Sequence, residues 1–288
     1  MQTNGSTVPC TVHRLGLVEY QEAWAEQRRL VEACRADGRG RLLLLEHPPT
    51  YTFGVRGRSE HLLLREEALA QIGATVHRID RGGDVTFHGP GQLVAYPILD
   101  LRRWRQGPLW YVRSLEAVLI EALSTFAIAG RRVPGRPGVW VGEAKIAAIG
   151  VRVSRGITSH GFALNVEPDL RYFSYIIPCG LPGVAVTSMA EVLRQRGASG
   201  ISRGARPFAF SSLTPPRQVG APLSLAEGEG PGGREDGRIH MADHAFPSFV
   251  VPEATGMDAV MDAVVAAFAR VFPVELEEAP VGTAAAAG

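Results

Sequence analysis

The chain has 288 residues, 45% of them apolar and 20% charged, with a formal net charge of +1. That length and apolar content allow one large core or two small ones and read as a soluble, globular protein. A near-neutral charge with scattered arginines gives no general attraction to nucleic acid or an anionic membrane, so neither is expected as a partner. The opening stretch, MQTNGSTVPCTVHRLG, lacks the basic start and apolar core of a secretory signal, and no apolar run is long enough to span a bilayer. A cytoplasmic location is expected.

Helical spacing runs from about Leu17 to Ala36, with Trp24, Leu30, Val31 and Cys34 on a common face, until DGRG breaks it. The run RLLLLEHPP then reads as a buried strand stopped by Pro48 and Pro49, and QLVAYPILDL as a second one after the glycine-rich RGGDVTFHGPG. PLWYVRSLEAVLIEALSTFAI has the pattern of an amphipathic helix with Pro108 near its start. GVWVG, AKIAAIGVRVS and ITSHGFALNV follow as an antiparallel meander turning at Gly142-Glu143 and at Ser154-Arg155-Gly156. TSMAEVLRQRG predicts a short helix with Ser188 as N-cap and Glu191 as capping-box partner. Residues 197–247 are rich in Gly, Ser, Pro and Arg and are expected to form an exposed, mobile insertion. A final helix covers about 256–273, and the alanine-rich tail after Pro280 is expected to fray. Helices and strands without regular βαβ alternation favour a mixed-sheet α/β domain of the α+β type over a doubly wound fold. The expected organisation is one catalytic domain, with a core of about 12–195 completed by the last helix.

Three features carry possible chemistry. The loop from Arg81 to Gln92 has the glycines for close backbone approach to a ligand, and it has polar handles in Arg81, Asp84, Thr86, His88 and Gln92. By composition alone it is equally a connector between strands, and it matches neither a P-loop nor the dinucleotide fingerprint. Cys179, between Pro178 and Gly180, reads as a presented thiol, whereas Cys34 in its helix reads as core packing; three cysteines with no C-x-x-C suggest neither disulfides nor zinc. Lys145 is the one lysine among 30 Lys and Arg residues. Arginine cannot give up its proton and lysine can, so a proton-transfer role requires lysine. Strict alternation along its strand would put Lys145 on the face of Ala147 and Ile149. His88 and His160 each adjoin a glycine and are further candidates, and no metal-ligand spacing occurs, so no metal is expected.

The segments EHPPTYTFG (46–54), RGGDVTFHGPGQLVAYPILDL (81–101), AKIAAIGVRV with SHGFALNV (144–166) and IIPCG (176–180) occur in the order and spacing of the lipoyl(octanoyl) transferases. From about Leu15 to Leu193, and more weakly in the last helix, the sequence resembles that family. The resemblance implies the mixed-sheet, helix-flanked catalytic domain shared with biotin and lipoate protein ligases. It implies transfer of an octanoyl group from octanoyl-acyl carrier protein, whose phosphopantetheine thioester is the donor, to the lysine of lipoyl domains of 2-oxoacid dehydrogenases and of the glycine cleavage H protein. No cofactor is implied. Cys179 then stands at the acyl-accepting nucleophile and Lys145 at the lysine that lowers its pKa. The substrate-binding segments correspond to Arg81, Gly82, Gly83, Asp84, Val85, Thr86, Phe87 and His88, to Ala148, Ile149 and Gly150, and to Gly161, Phe162 and Ala163. Ala148, Ile149 and Phe162 would line an alkyl tunnel. The insertion is longer than the short family connection. The rival readings are an ATP-dependent lipoate or biotin ligase and a non-catalytic protein that binds acyl carrier or lipoyl domains.

Overall fold

The computed structural model describes residues 7–177, 183–199 and 256–279. Among these, chain order runs β1 (Val8–Leu17), α1 (Tyr20–Asp37), β2 (Gly40–Glu46), β3 (Thr50–Phe53), α2 (Glu66–Gln71), β4 (Thr75–Arg78), β5 (Val85–His88) and β6 (Gln92–Ile98). It continues with α3 (Pro108–Thr125), β7 (Arg131–Val133), β8 (Arg136–Val141), β9 (Ala144–Ser154), β10 (Ile157–Asn165), α4 (Met189–Ser199), α5 (Met257–Val271) and β11 (Val274–Glu278). An eight-stranded mixed sheet has the order β11-β1-β2-β6-β10-β9-β8-β7, and a three-stranded sheet the order β4-β3-β5. No described helix is long and apolar enough to cross a membrane.

The leucine run explains the centre of the large sheet. Successive side chains of a strand point to opposite faces, so a strand covered on both sides needs apolar residues throughout. Leu42 and Leu44 enter a core with α3 and α5, while Leu43 and Leu45 enter a second core under α1. β6 divides in the same way, with Leu93 and Ala95 on one side and Val94, Tyr96 and Ile98 on the other. Helix α1 buries Tyr20, Ala23, Gln27, Leu30 and Cys34, a three-four spacing, and stops where Gly38 adopts φ 71° and its N–H caps the Cys34 carbonyl. Pro108 opens α3, where its missing N–H would have no helical partner.

The meander is present as β8, β9 and β10, and the Arg155-Gly156 turn has positive φ at both positions, as a tight hairpin requires. Among the described residues, six further strands lie outside the predicted elements: β1, β3, β4, β5, β7 and β11, with β5 formed inside the segment 81–92 that composition reads as a loop. β1 buries Val8, Cys10 and Val12 in parallel pairing with β2, and β11 pairs parallel to β1, so the chain's two ends close one edge. The last helix, α5, packs against α3 in the main core. Half of the expected capping box forms on α4: the Glu191 N–H donates to Ser188 Oγ at 3.2 Å, while the Glu191 carboxylate instead accepts from Arg194 and Gln195. Residues 200–255, most of the expected insertion, and the alanine-rich tail after Pro280 lie outside the described residues.

One register detail corrects the sequence reading. Trp140 pairs with Lys145 and Val139 with Ala147, so Ile146 is an extra residue on β9. A bulge of this kind resets the alternation. Ile146 and Ala147 are buried in the main core, whereas Lys145 borders a cavity with Ala148. Lys145 therefore does not share the face of Ala147.

The hairpin β7–β8 is tied to α3 by Glu116, 2% exposed, which accepts from Arg113 Nη1 and Arg132 Nε at 3.0 Å and from the Gly138 N–H at 3.3 Å. Truncation would leave a buried N–H and two guanidinium groups without this acceptor. Glu116→Ala is expected to lower unfolding free energy by about 2–3 kcal/mol, read from the urea midpoint at unchanged slope; a loss below about 0.5 kcal/mol would contradict this anchoring role.

Candidate active site

A cavity of about 660 Å³ is bounded by β5, β6, β8, β9 and β10, the start of α1 and the loop from Arg81 to Asp84. Across its wall Val94, Ala163 and Ala148 are register neighbours on three adjacent strands, and Gly161 and Gly150 pair one step further on. The small side chains in this row leave an apolar stretch of cavity wall. Tyr20, Tyr96, His88 and His160 also line the cavity, and the exposed Arg56, Arg58 and Arg136 border it.

The Arg81–Asp84 loop is clasped by backbone bonds. The Gly54 N–H donates to the Asp84 carbonyl, Val55 to Arg81, Arg56 to Gly83, and Gly82 to Val151. Arg81 is buried, its Nη2 donating to the Thr52 carbonyl at 2.6 Å and to Thr52 Oγ1 at 2.9 Å, and Nη1 to the Gly82 carbonyl at 3.0 Å. Its stem crosses Gly150 so closely that an added Cβ there would come within 2.8 Å of Arg81 Cδ. Asp84 Oδ1 accepts from the Arg58 and Val85 N–H groups, and Oδ2 pairs with His61 Nδ1.

Lys145 stands at the other end of the cavity's β9 wall. Its Nζ lies 5.0 Å from the centre of the Trp140 indole. The chain that follows the 178–182 segment runs beside it: Val184 lines the cavity, the Lys145 N–H donates to the Ala185 carbonyl at 2.8 Å, and Thr187 N–H donates to the Lys145 carbonyl at 3.0 Å. On the other side of that segment, the Ile177 N–H donates to the carbonyl of His61, a cavity residue. A buried relay crosses behind: His88 Nδ1 donates to Gln92 Oε1, Gln92 Nε2 to Asn165 Oδ1, and Asn165 Nδ2 to the Thr187 carbonyl.

Three buried histidines here, His88, His47 and His160, are held neutral. Burial pushes His88 well below 6.5, with nearby His47 and Arg81 adding to it, and both its ring nitrogens are engaged, with Gln92 and Thr52. His47, behind the cavity, is lowered to about 4 by burial; its Nδ1 donates to the Val18 carbonyl and its Nε2 accepts from the Tyr96 hydroxyl, each at 2.7 Å. His160 has φ 54°, rare for a side-chain-bearing residue, and burial with Arg81 and Arg152 lowers it to about 3. Its Nε2 meets Asp80 Oδ1 at 2.8 Å and its main-chain N–H donates to Gln27 Oε1.

Of the sequence-derived site residues, Lys145, Arg81, Gly82, Gly83, Asp84, Val85, Thr86, His88, Ala148, Ile149, Gly150, Gly161, Phe162 and Ala163 all border this one cavity. Phe87 does not. The strand alternation turns its ring into the core of the small sheet, stacked on Tyr172 at 4.6 Å and beside Tyr51 and Phe173. Cys179 lies outside the described residues. The other two thiols are buried, and desolvation raises Cys10 to about 12 and Cys34 to about 11, which leaves neither a useful nucleophile. Tyr20, Tyr96, Trp140 and Arg136 were not foreseen as cavity residues, although the aromatic in GVWVG, opposite the sole lysine, was a readable signal for Trp140. Among the described residues no cluster of three or more His, Cys, Asp or Glu has the form of a metal site.

Residues 19–199 match the lipoyl protein ligase A/B catalytic domain. An octanoyltransferase from Solibacter usitatus is 52% identical over 185 residues, covering 64% of this chain and 83% of the relative. One from Gloeobacter violaceus is 48% identical over 198 residues, covering 64% and 86%. A lipoate-protein ligase A structure bound with ATP superposes with TM-score 0.61 at 12% identity, covering 96% of this chain and 90% of that one. A bi-partite lipoate protein ligase from Thermoplasma acidophilum gives 0.57 at 15% identity, covering 93% and 87%. At such identities these two structures establish the fold: a mixed sheet flanked by helices, the lipoyl ligase type of catalytic domain. The chain belongs to the lipoyl protein ligase A/B catalytic-domain family and, within it, to the octanoyltransferases, which makes it an acyltransferase.

The buried neutral histidines give a pH signature. Between about pH 6.5 and 4 an unfolded chain binds a proton at His47 that the folded chain refuses, so stability is full above 6.5 and falls as pH drops through this window. The urea midpoint is expected to fall steadily from pH 6.5 to 4, and His47→Gln to reduce that slope by up to about 1.4 kcal/mol per pH unit. An unchanged slope would show that His47 titrates normally in the fold.

Proposed function

We propose that the protein transfers an octanoyl group from octanoyl-acyl carrier protein to the lysine of a lipoyl domain, through an acyl thioester on Cys179 assisted by Lys145. The observation that carries this reading is the cavity that joins the sole lysine to a row of small apolar residues, lined by Val184 just after the 178–182 segment and by His61, which accepts from the Ile177 N–H just before it. The relatives at about half identity support it by name.

In the first half-reaction an ammonium beside the thiol favours its thiolate. The thiolate attacks the donor carbonyl, the carbon–sulfur bond to pantetheine breaks, and the pantetheine thiolate takes up the proton that left Cys179. In the second, the neutral amine of the acceptor lysine attacks the Cys179 thioester. An amide forms, the amine proton is removed, and the Cys179 sulfur leaves and regains a proton. Lys145 is the proton carrier for both steps, because His88 has both ring nitrogens committed to Gln92 and Thr52. Exchange between thioesters of similar energy needs no nucleotide and no cofactor. The channel of Val94, Ala148 and Ala163 receives the alkyl chain, where each buried methylene contributes about 0.8 kcal/mol. The exposed Arg56, Arg58 and Arg136 provide a positive border for an anionic phosphopantetheine arm.

Intact mass measurement after incubation with octanoyl-acyl carrier protein should show one octanoyl adduct without ATP, absent in Cys179→Ala. An adduct that persists in that variant, or a strict need for ATP, would overturn the thioester reading. Lys145→Arg keeps the charge and removes the transferable proton, and is expected to slow octanoyl transfer about 100-fold. A wild-type rate there would show that charge alone suffices.

A further inference from the structure

A lysine side chain is a flexible four-carbon stem with a compact charge, and something must hold it where it acts. Trp140 is the direct cross-strand partner of Lys145, and the bulge at Ile146 begins immediately beyond the pair. The indole is 2% exposed, its centre is 5.0 Å from Nζ, and its Nε1–H donates to the Arg136 carbonyl at 3.4 Å, which fixes the ring's rotation. Gly138, on the same strand, has φ 120° and presents hydrogen where a Cβ would sit 3.5 Å from Lys145 Cε and 2.5 Å from the Ala147 carbonyl oxygen. The hairpin thus offers the lysine stem a close backbone on one side and an aromatic face at its charged end.

We propose that Trp140 is a positioning residue for acyl transfer: its indole face is the platform that holds the Lys145 ammonium at the cavity wall. This rests on the reading that Lys145 takes part in transfer. A cation within about 6 Å of a ring centre is attracted by the ring's negative face, most strongly for tryptophan and less for tyrosine or phenylalanine. Simple filling of space would be met by leucine, whereas a platform needs a ring. The guanidinium of Arg136, 5.9 Å from the same ring, leaves the ammonium the nearer cation.

The sole lysine makes the contact directly observable, since ¹³C-lysine labelling of the full chain gives one set of side-chain resonances. In the unmodified protein the Lys145 Hε signals should be displaced by the ring current, less so in Trp140→Phe, and should approach free-lysine values in Trp140→Leu. Transfer measured with octanoyl-acyl carrier protein and a lipoyl domain should retain kcat within about threefold in Trp140→Phe and fall about three- to thirtyfold in Trp140→Leu. KM for the donor should stay within about twofold. If Trp140→Leu does not fold by circular dichroism, Trp140→Tyr and Trp140→Phe carry the comparison, with rates expected in the order Trp, Tyr, Phe. Undisplaced signals in the unmodified chain, a wild-type kcat in Trp140→Leu, or in the fallback variants a rate unaffected by ring type, would overturn the platform. Lys145→Met separates the two ideas. A wild-type rate in that variant removes the role of the lysine and the platform with it, while a slow Lys145→Met beside a normal Trp140→Leu removes the platform alone.

Discussion

The single extra residue at Ile146 is the constraint on which the site depends. β9 lies between β8 and β10 and must supply apolar side chains to the core under α3 and α5 while also furnishing one wall of the cavity. Strict alternation cannot send Lys145 to the cavity together with Ala148 and still bury both Ile146 and Ala147. Inserting one unpaired residue puts two consecutive apolar side chains into the core and returns the next residue to the cavity face. A bulge placed beside the cavity is thus a device for aiming one side chain, Lys145, made stable by the burial of the residue that creates it.

The rest of the wall relies on what is missing from side chains. Gly150 and Gly161 pair across β9 and β10, and the first is where the stem of Arg81 lies against the strand. Through the bonds from its terminal nitrogens to Thr52 and Gly82, Arg81 acts as a strut joining the small sheet to the large one. The small sheet in turn holds its own aromatic core, including Phe87, so the loop that closes the cavity is fixed from behind. Neutral His47 and His88 continue this support, each with both nitrogens in hydrogen bonds. Buried polar contacts of this kind hold the cavity wall in one arrangement, and of its supports the neutral histidines do so without adding charge.

Much of this was legible in the sequence, and the failures have physical causes. The doubly buried strands announced themselves as unbroken apolar runs, and the meander as alternating segments punctuated at Gly142 and Gly156. β1 was harder to see, because a strand with only Val8, Cys10 and Val12 buried looks like an ordinary polar segment. β11 is five residues long and owes its pairing to β1, some 260 residues away, which no local pattern reveals. The face of Lys145 was misread because a bulge leaves no composition signal, and Phe87 was misassigned because a motif marks a segment, whereas alternation decides which of its side chains reach the ligand. The site's tyrosines, Tyr20 and Tyr96, come from distant elements that only the folded sheet assembles.

The comparison with ligases of the same fold shows where function resides. The fold is shared at 12% identity with a protein bound to ATP, and a shared scaffold does not by itself fix the chemistry of a site. A carboxylic acid must be activated before an amine can displace anything from it, and a nucleotide supplies that activation. A thioester arrives already activated, so under the proposed route the site would need only a second sulfur, a proton carrier and a dry channel. The composition of this chain separates those needs sharply. Wherever charge alone suffices it uses arginine, at the strut, at the cavity border and in the surface ion pairs, and it keeps lysine for the one position where a proton that can leave would be of use.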